Sequence, residues 1–271
     1  VVASLRPLSL WRQLKGLFWI YFQDALAYRA SIVIWLLTDI TTTLTMPLVF
    51  LAAGRGATLG GFSPSELVSY YVIMLFVSSF VTSHFMWEIG TEIREGILST
   101  QLIRPVNWWA FMLVRNVAYR FVRSVVLIPF FVAFVVAYWG QIQSVTFYFG
   151  WETWVALILG HLVSFCFVVA FAMIALFTQE AMSIFELYYF PMLFLSGQLF
   201  PISLLPDWAR TLALFFPFYS TTGAPVEIML GRVSGLDALN AIGMQVAWII
   251  LSLILYQVLW RKGLKQFTGI G

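Results

Sequence analysis

A chain of 271 residues that is 61% hydrophobic and only 10% charged lies far below the roughly 25% charge of soluble domains. Its apolar runs are too long and too numerous for a water-soluble core, and they lack the short alternating segments of a membrane β-barrel. That leaves an all-α polytopic membrane protein. The net charge of +3 is spread too thinly to build a face for nucleic acid, and the single cysteine, Cys166, cannot form an intrachain disulfide.

The first apolar stretch is interrupted by Arg12, Gln13 and Lys15 and ends in no small-residue cleavage pattern, so it does not read as a secretory signal. Residues 9–29 instead carry a helical stripe of Trp11, Leu14, Phe18, Tyr21, Phe22 and Ala25. Arg12, Lys15, Gln23 and Asp24 fall largely off it, which predicts an amphipathic helix at the cytoplasmic membrane surface. The chain thus divides into an interfacial helix, 1–29, and a transmembrane domain of six helices, 30–271.

Span one is predicted over 30–53. It carries Asp39 and the threonines Thr38, Thr41, Thr42, Thr43 and Thr45, whose hydroxyls can bond to the preceding turn. A loop over 54–66 leads to span two, 67–87. A polar amphipathic helix over 88–104, stopped by Pro105, precedes span three, 111–139, which opens with Arg115, Arg120 and Arg123. Span four, 154–178, turns through Gln179 and Glu180 into span five, 184–200. The apolar pieces of 201–237 are too short to cross and are broken by Pro206 and Pro217, predicting short re-entrant helices in the outer leaflet. Span six, 239–260, ends in Arg261, Lys262 and Lys265. Trp108, Trp109, Trp139, Trp151, Trp154, Trp208 and Trp260 lie near span ends and are read as interfacial anchors.

With the amino terminus inside, twelve of the 15 basic residues fall on the cytoplasmic side or its interface, and only Arg55, Arg210 and Arg232 fall outside. That is the positive-inside pattern, and an even number of spans brings the carboxyl end back to the same side.

No phosphate-cradling G-x-x-x-x-G-K-[ST] run is present. His84 and His161 have no companions at metal-ligand spacing, and no triad is defined. The cytoplasmic stretch EIGTEIREGILSTQLIRP is more informative. Ile89, Ile93 and Ile97 recur every four residues with Leu98 and Leu102 beside them. Such a helix rests one face on the bundle and presents Glu92, Arg94 and Glu95 outward, while Gly96 permits a bend.

From Ile93 to Pro105 the pattern I-R-E-G-x-L-x-x-x-L-x-R-P resembles the coupling-helix region of ABC-2-type exporter permeases, in particular the branch of small paired permeases once classed as a family of unknown function. Tyr28, Arg29 and Ala30 resemble that branch's entry into span one. PMLFLSGQLFPISLLPDW, 191–208, followed by Phe216, Pro217 and Phe218, resembles its outer re-entrant region. The resemblance covers nearly the whole chain. It implies an ABC exporter permease that does not itself hydrolyse ATP. The partners it implies are two cytoplasmic ATPase subunits, which carry ATP and Mg, and a second permease subunit, identical or homologous. The implied location is a bacterial inner membrane, with both termini cytoplasmic.

Carried over by motif, Glu92, Arg94, Glu95, Gly96, Leu98, Leu102, Arg104 and Pro105 form the expected ATPase-coupling set. Gly197, Pro201, Pro206, Trp208 and Pro217 form the expected extracellular gate. A carboxylate at the bilayer centre costs about 2.5–3.5 kcal/mol, so Asp39 is expected either to line the pathway or permease interface, or to snorkel or pair near the cytoplasmic entrance, for example with an arginine of span three. Glu180 and Glu186 flank the turn between spans four and five, as a solvated turn or a second ATPase contact. A secondary transporter or channel, and a non-transporting membrane anchor, are the alternative functions.

Overall fold

The computed structural model describes residues 9–54, 58–178 and 181–267, without the side chains of residues 39, 42–44, 51, 53, 54, 181 and 182. The described residues form α-helices joined by turns, with one isolated bridge between Leu59 and Phe62.

The first helix, α1 (Leu10–Ala27), passes through a turn at Tyr28 into α2 (Arg29–Gly54). Leu17, Tyr21, Phe22 and Ala25 pack inward, and Tyr21 sits edge-on to Phe111 of α6 (Trp108–Ala137). Trp11, assigned to the same stripe, is 74% exposed, because the packed residues of α1 all lie beyond its first turn.

A reciprocal cap starts α3 (Pro64–Val81): Ser63 Oγ accepts from the Glu66 N–H, Glu66 Oε2 accepts from the Ser63 N–H at 2.8 Å, and Pro64 holds the first helical position. The span predicted over 67–87 is not one helix. Residues 82–85 are non-helical, and α4 (Met86–Arg94) resumes beyond them. A break among apolar neighbours frees backbone groups that hydrocarbon cannot satisfy, at several kcal/mol each. Here other helices satisfy them. Arg120 Nη1 donates to Ser79 O at 3.1 Å, His161 Nδ1 lies 3.2 Å from Val81 O, and the Ser83 N–H donates to Ser164 Oγ at 2.8 Å.

Gly96, at φ +76°, separates α4 from α5 (Ile97–Leu102). Asn107 then caps α6 by accepting from the N–H groups of Trp109 and Ala110. A short α7 (Trp139–Ile142) leads to α8 (Trp151–Ala172), which tightens into a 3-10 turn, Met173–Leu176. After α9 (Ala181–Leu195) come a 3-10 turn (Ile202–Leu204), α10 (Asp207–Phe215), α11 (Pro217–Thr221), α12 (Gly223–Met229) and the long α13 (Gly235–Gly263). The predicted fifth span reached residue 200, but α9 stops at Leu195. Tyr70 and Tyr71 of α3 donate to the carbonyls of Gly197 and Leu199, each at 2.8 Å, and hold that segment out of a helix.

Pro64–Arg94, Trp108–Ala137, Trp151–Leu176 and Gly235–Gly263 are long and apolar enough to cross a membrane. α9, with 15 residues, is only about 22 Å long. The packed core lies in two main regions. Phe85, Ile89, Trp108, Phe165, Met173 and Tyr188 meet at the end carrying α4 and α5; Phe62, Tyr70, Tyr71, Val226 and Met229 meet at the end carrying α10–α12. The outward faces of α6 and α13 are themselves apolar, with Phe121, Ile128, Val132, Ile250 and Ile254 all exposed. Water would not favour such a surface; lipid does.

Two of the basic residues assigned to the cytoplasmic interface are inside the protein. Arg120 and Arg123 are buried along α6, about three and four turns from its start, so they carry no orientation signal. Without them, ten basic residues fall on the side expected to be cytoplasmic and three on the other.

Candidate functional site

The stretch predicted as one amphipathic helix over 88–104 is a corner. Ile89 and Ile93 on α4 and Leu98 on α5 are buried, whereas Ile97 is 40% exposed. The left-handed backbone at Gly96 resets the helical phase, so the four-residue spacing no longer describes a single face.

Beneath the corner lies a polar brace. Arg115 of α6 reaches down with both guanidinium nitrogens: Nη1 donates to Glu92 Oε1 at 2.6 Å and Nη2 to Glu88 Oε2 at 2.9 Å. The other Glu92 oxygen accepts from Gln101 Nε2 at 2.9 Å, and Gln101 Oε1 accepts from Trp108 Nε1 at 2.8 Å. Trp108 in turn stacks on Trp260 of α13, with ring centroids 4.8 Å apart. The Arg115 guanidinium also lies 5.7 Å from the centre of the Tyr21 ring of α1. One continuous network therefore ties α1, α4, α5, α6 and α13 together.

This geometry changes the expected coupling set. Glu92 does not face outward: its side chain is only 17% exposed, because Arg115 and Gln101 draw it into the brace. Leu98 is core. Arg94, Glu95, Leu102, Arg104 and Pro105 are exposed, as expected, and Gly96 is the corner itself. Ile103, absent from the expected set, is 84% exposed; its clue was an apolar residue falling off the isoleucine spacing. Arg104 bends back so that its guanidinium lies 5.2 Å from the centre of the Phe111 ring. Trp108 and Trp260, read as lipid-interface anchors, are stacked on each other instead, whereas Trp139, Trp151, Trp154 and Trp208 are exposed as that role requires.

Beside Ile93 and Arg94 a cavity of about 170 Å³ is shared with Phe177 and Thr178, beyond α8, and with Phe267 near the carboxyl end. The corner, the end of α8 and the carboxyl-terminal turn thus lie together. Glu186 is exposed on α9. Glu180 and the side chain of Asp39 lie outside the described residues.

At the opposite end the expected gate residues differ in burial. Gly197, Pro201 and Pro217 are buried, while Pro206 and Trp208 are exposed. Pro206 precedes α10 and Pro217 starts α11, so both prolines act as helix starters. Gly197, at φ +87°, lets the chain pass against Tyr70 and Gly223. Several residues that organise this end were missing from the sequence reading. Gln245 of α13 donates through Nε2 to Ala156 O at 2.9 Å and Ser220 O at 2.8 Å, joining α8 to α11. Glu227 of α12 accepts from the Tyr219 hydroxyl at 2.8 Å. Burial pushes the Glu227 carboxyl above the ordinary range, while Tyr219, Arg232 and Arg210 pull it back. A polar residue within an otherwise apolar helix is the signal that could have found Gln245 and Glu227.

The family described as ABC-2 family transporter protein matches residues 36–271, which takes in most of α2 and everything from α3 to α13. The chain belongs to the ABC-2 transporter family. No curated protein matches it. As an ABC-2 permease it is a multi-pass membrane subunit of an ABC transporter, and membership implies ATPase partner subunits.

Proposed function

We propose that this permease is the membrane half of an ATP-driven exporter, with two cytoplasmic ATPase subunits that hydrolyse Mg-ATP and a second permease, identical or homologous, completing the pathway. In this reading α2, α3 with α4, α6, α8, α9 and α13 are the six spans. Residues 1–29 form the interfacial helix and 30–271 the transmembrane domain. Both termini and the α4–α5 corner then lie in the cytoplasm of an inner membrane, a reading that the charge asymmetry supports. Asp39, in α2, is the candidate for the pathway or permease interface.

The braced corner is the observation that carries this reading. A segment that receives a push must be exposed where it is touched and stiff where it is mounted. Arg94, Glu95, Leu102 and Ile103 provide the exposed side. Arg115 and Gln101 provide the mount, passing displacement to α6 and α13 rather than letting the corner flex.

The test is copurification in mild detergent from cells expressing the complete transporter. The double variant R94E/E95K should recover roughly tenfold less ATPase per permease, the effect of losing about 1.4 kcal/mol of docking energy, with permease yield unchanged. Full ATPase recovery would remove the corner as the dock. In the same cells, assayed before solubilisation, D39N should alter efflux or the yield of complex; if neither changes, Asp39 leaves the pathway.

A further inference from the structure

At the α10–α12 end, remote from the corner, a cleft of about 720 Å³ opens between the short helices and the first turns of α13. Glu227 forms part of its wall and is about nine-tenths buried. Among the described residues its carboxyl accepts one hydrogen bond, from a neutral donor, the Tyr219 hydroxyl. Among the described residues it makes no ion pair. The nearby cations do not fill that role. Arg232 also lines the cleft, but its guanidinium is held at the α3 entrance, where it donates to Gly61 O at 3.0 Å, stands 3.7 Å from Glu66 and covers the Phe62 ring at 3.6 Å; it acts on Glu227 only through space. Arg210 is exposed on the wall and acts on Glu227 through space.

A buried carboxylate with no cation in contact is costly, and its desolvation strengthens its pull on any cation that arrives. Asp237 adds a second carboxylate to the lining, and Leu214 and Met244 add an apolar wall. We propose that this cleft binds an amphiphile carrying a primary ammonium, the ammonium seated at Glu227, Tyr219 and Asp237 and the apolar body laid along Leu214 and Met244. A membrane lipid with an amino headgroup and a soluble amphiphilic amine share this chemistry. The inference stands on the cleft alone, so its failure and that of ATPase docking are separate results.

Native mass spectrometry of the purified permease tests it, with octylamine against octanol and phosphatidylethanolamine against phosphatidylcholine. Retention of at least one primary amine over its partner by roughly tenfold is expected, the value of one charge-assisted contact. That preference should vanish in E227Q. A241F, which fills the cleft without touching the acid, should also abolish it and carries the test if E227Q does not fold. Preference within the octyl pair alone identifies a soluble amine, and within the lipid pair alone a membrane lipid. Equal retention within both pairs, or a preference that survives A241F, overturns the proposal.

Discussion

Gly197 shows how much of the α10–α12 end rests on one missing side chain. Its φ of +87° is a conformation that costs an L-residue about 1–2 kcal/mol. A Cβ there would also lie 2.5 Å from Tyr70 Oη, the hydroxyl that donates to the Gly197 carbonyl. G197A should therefore lower the unfolding temperature of the detergent-purified permease by several degrees, on the scale of about 2–4 °C per kcal/mol for a chain of this size. Y70F removes the hydroxyl that obstructs the new methyl, so the double variant should lose less than the two singles combined. Additive losses would mean the two residues do not meet as described. The motif in 191–208 pointed to Gly197 but not to Tyr70, which is 127 positions away in the chain.

At the scale of an element, the α4–α5 corner separates what periodicity can and cannot reveal. The isoleucine spacing marked an amphipathic stretch, and Gly96 marked a bend. Neither could show that Glu92 faces inward, because that depends on Arg115 of α6, 23 residues later. The break over 82–85 has still less local signal, holding no proline or glycine. It persists because Arg120 and Ser164 supply the bonds a continuing helix would have made. The brace makes a prediction distinct from docking. R115Q leaves Glu88 and Glu92 facing each other without their shared cation, a loss of about 1–3 kcal/mol at a partly exposed site. ATPase copurification should persist, since the exposed residues are unchanged, while ATP-dependent efflux falls roughly tenfold. If efflux is retained, the brace is not the mechanical link.

Across the whole molecule the orientation is open to direct measurement. Cys166 is buried, so an introduced thiol reports alone. With the corner in the cytoplasm, S99C should react with a membrane-impermeant maleimide only after the cells are permeabilised, and D207C, at the start of α10, should react in intact cells. The opposite pattern would reverse the proposed topology and leave the corner unable to meet a cytoplasmic ATPase. Both positions are exposed.

Composition and run length alone established that this is a helical membrane protein with several apolar helices, because a solvent preference summed over some twenty residues outweighs any local detail. Motif order along the chain was enough to reach the family. The break inside span two, the inward turn of Glu92, the early end of α9 and the Glu227 cleft were decided only by tertiary packing. Each depends on one or two hydrogen bonds or charges brought together from distant segments, and in a medium with no water to compete for them such bonds override local helical preference.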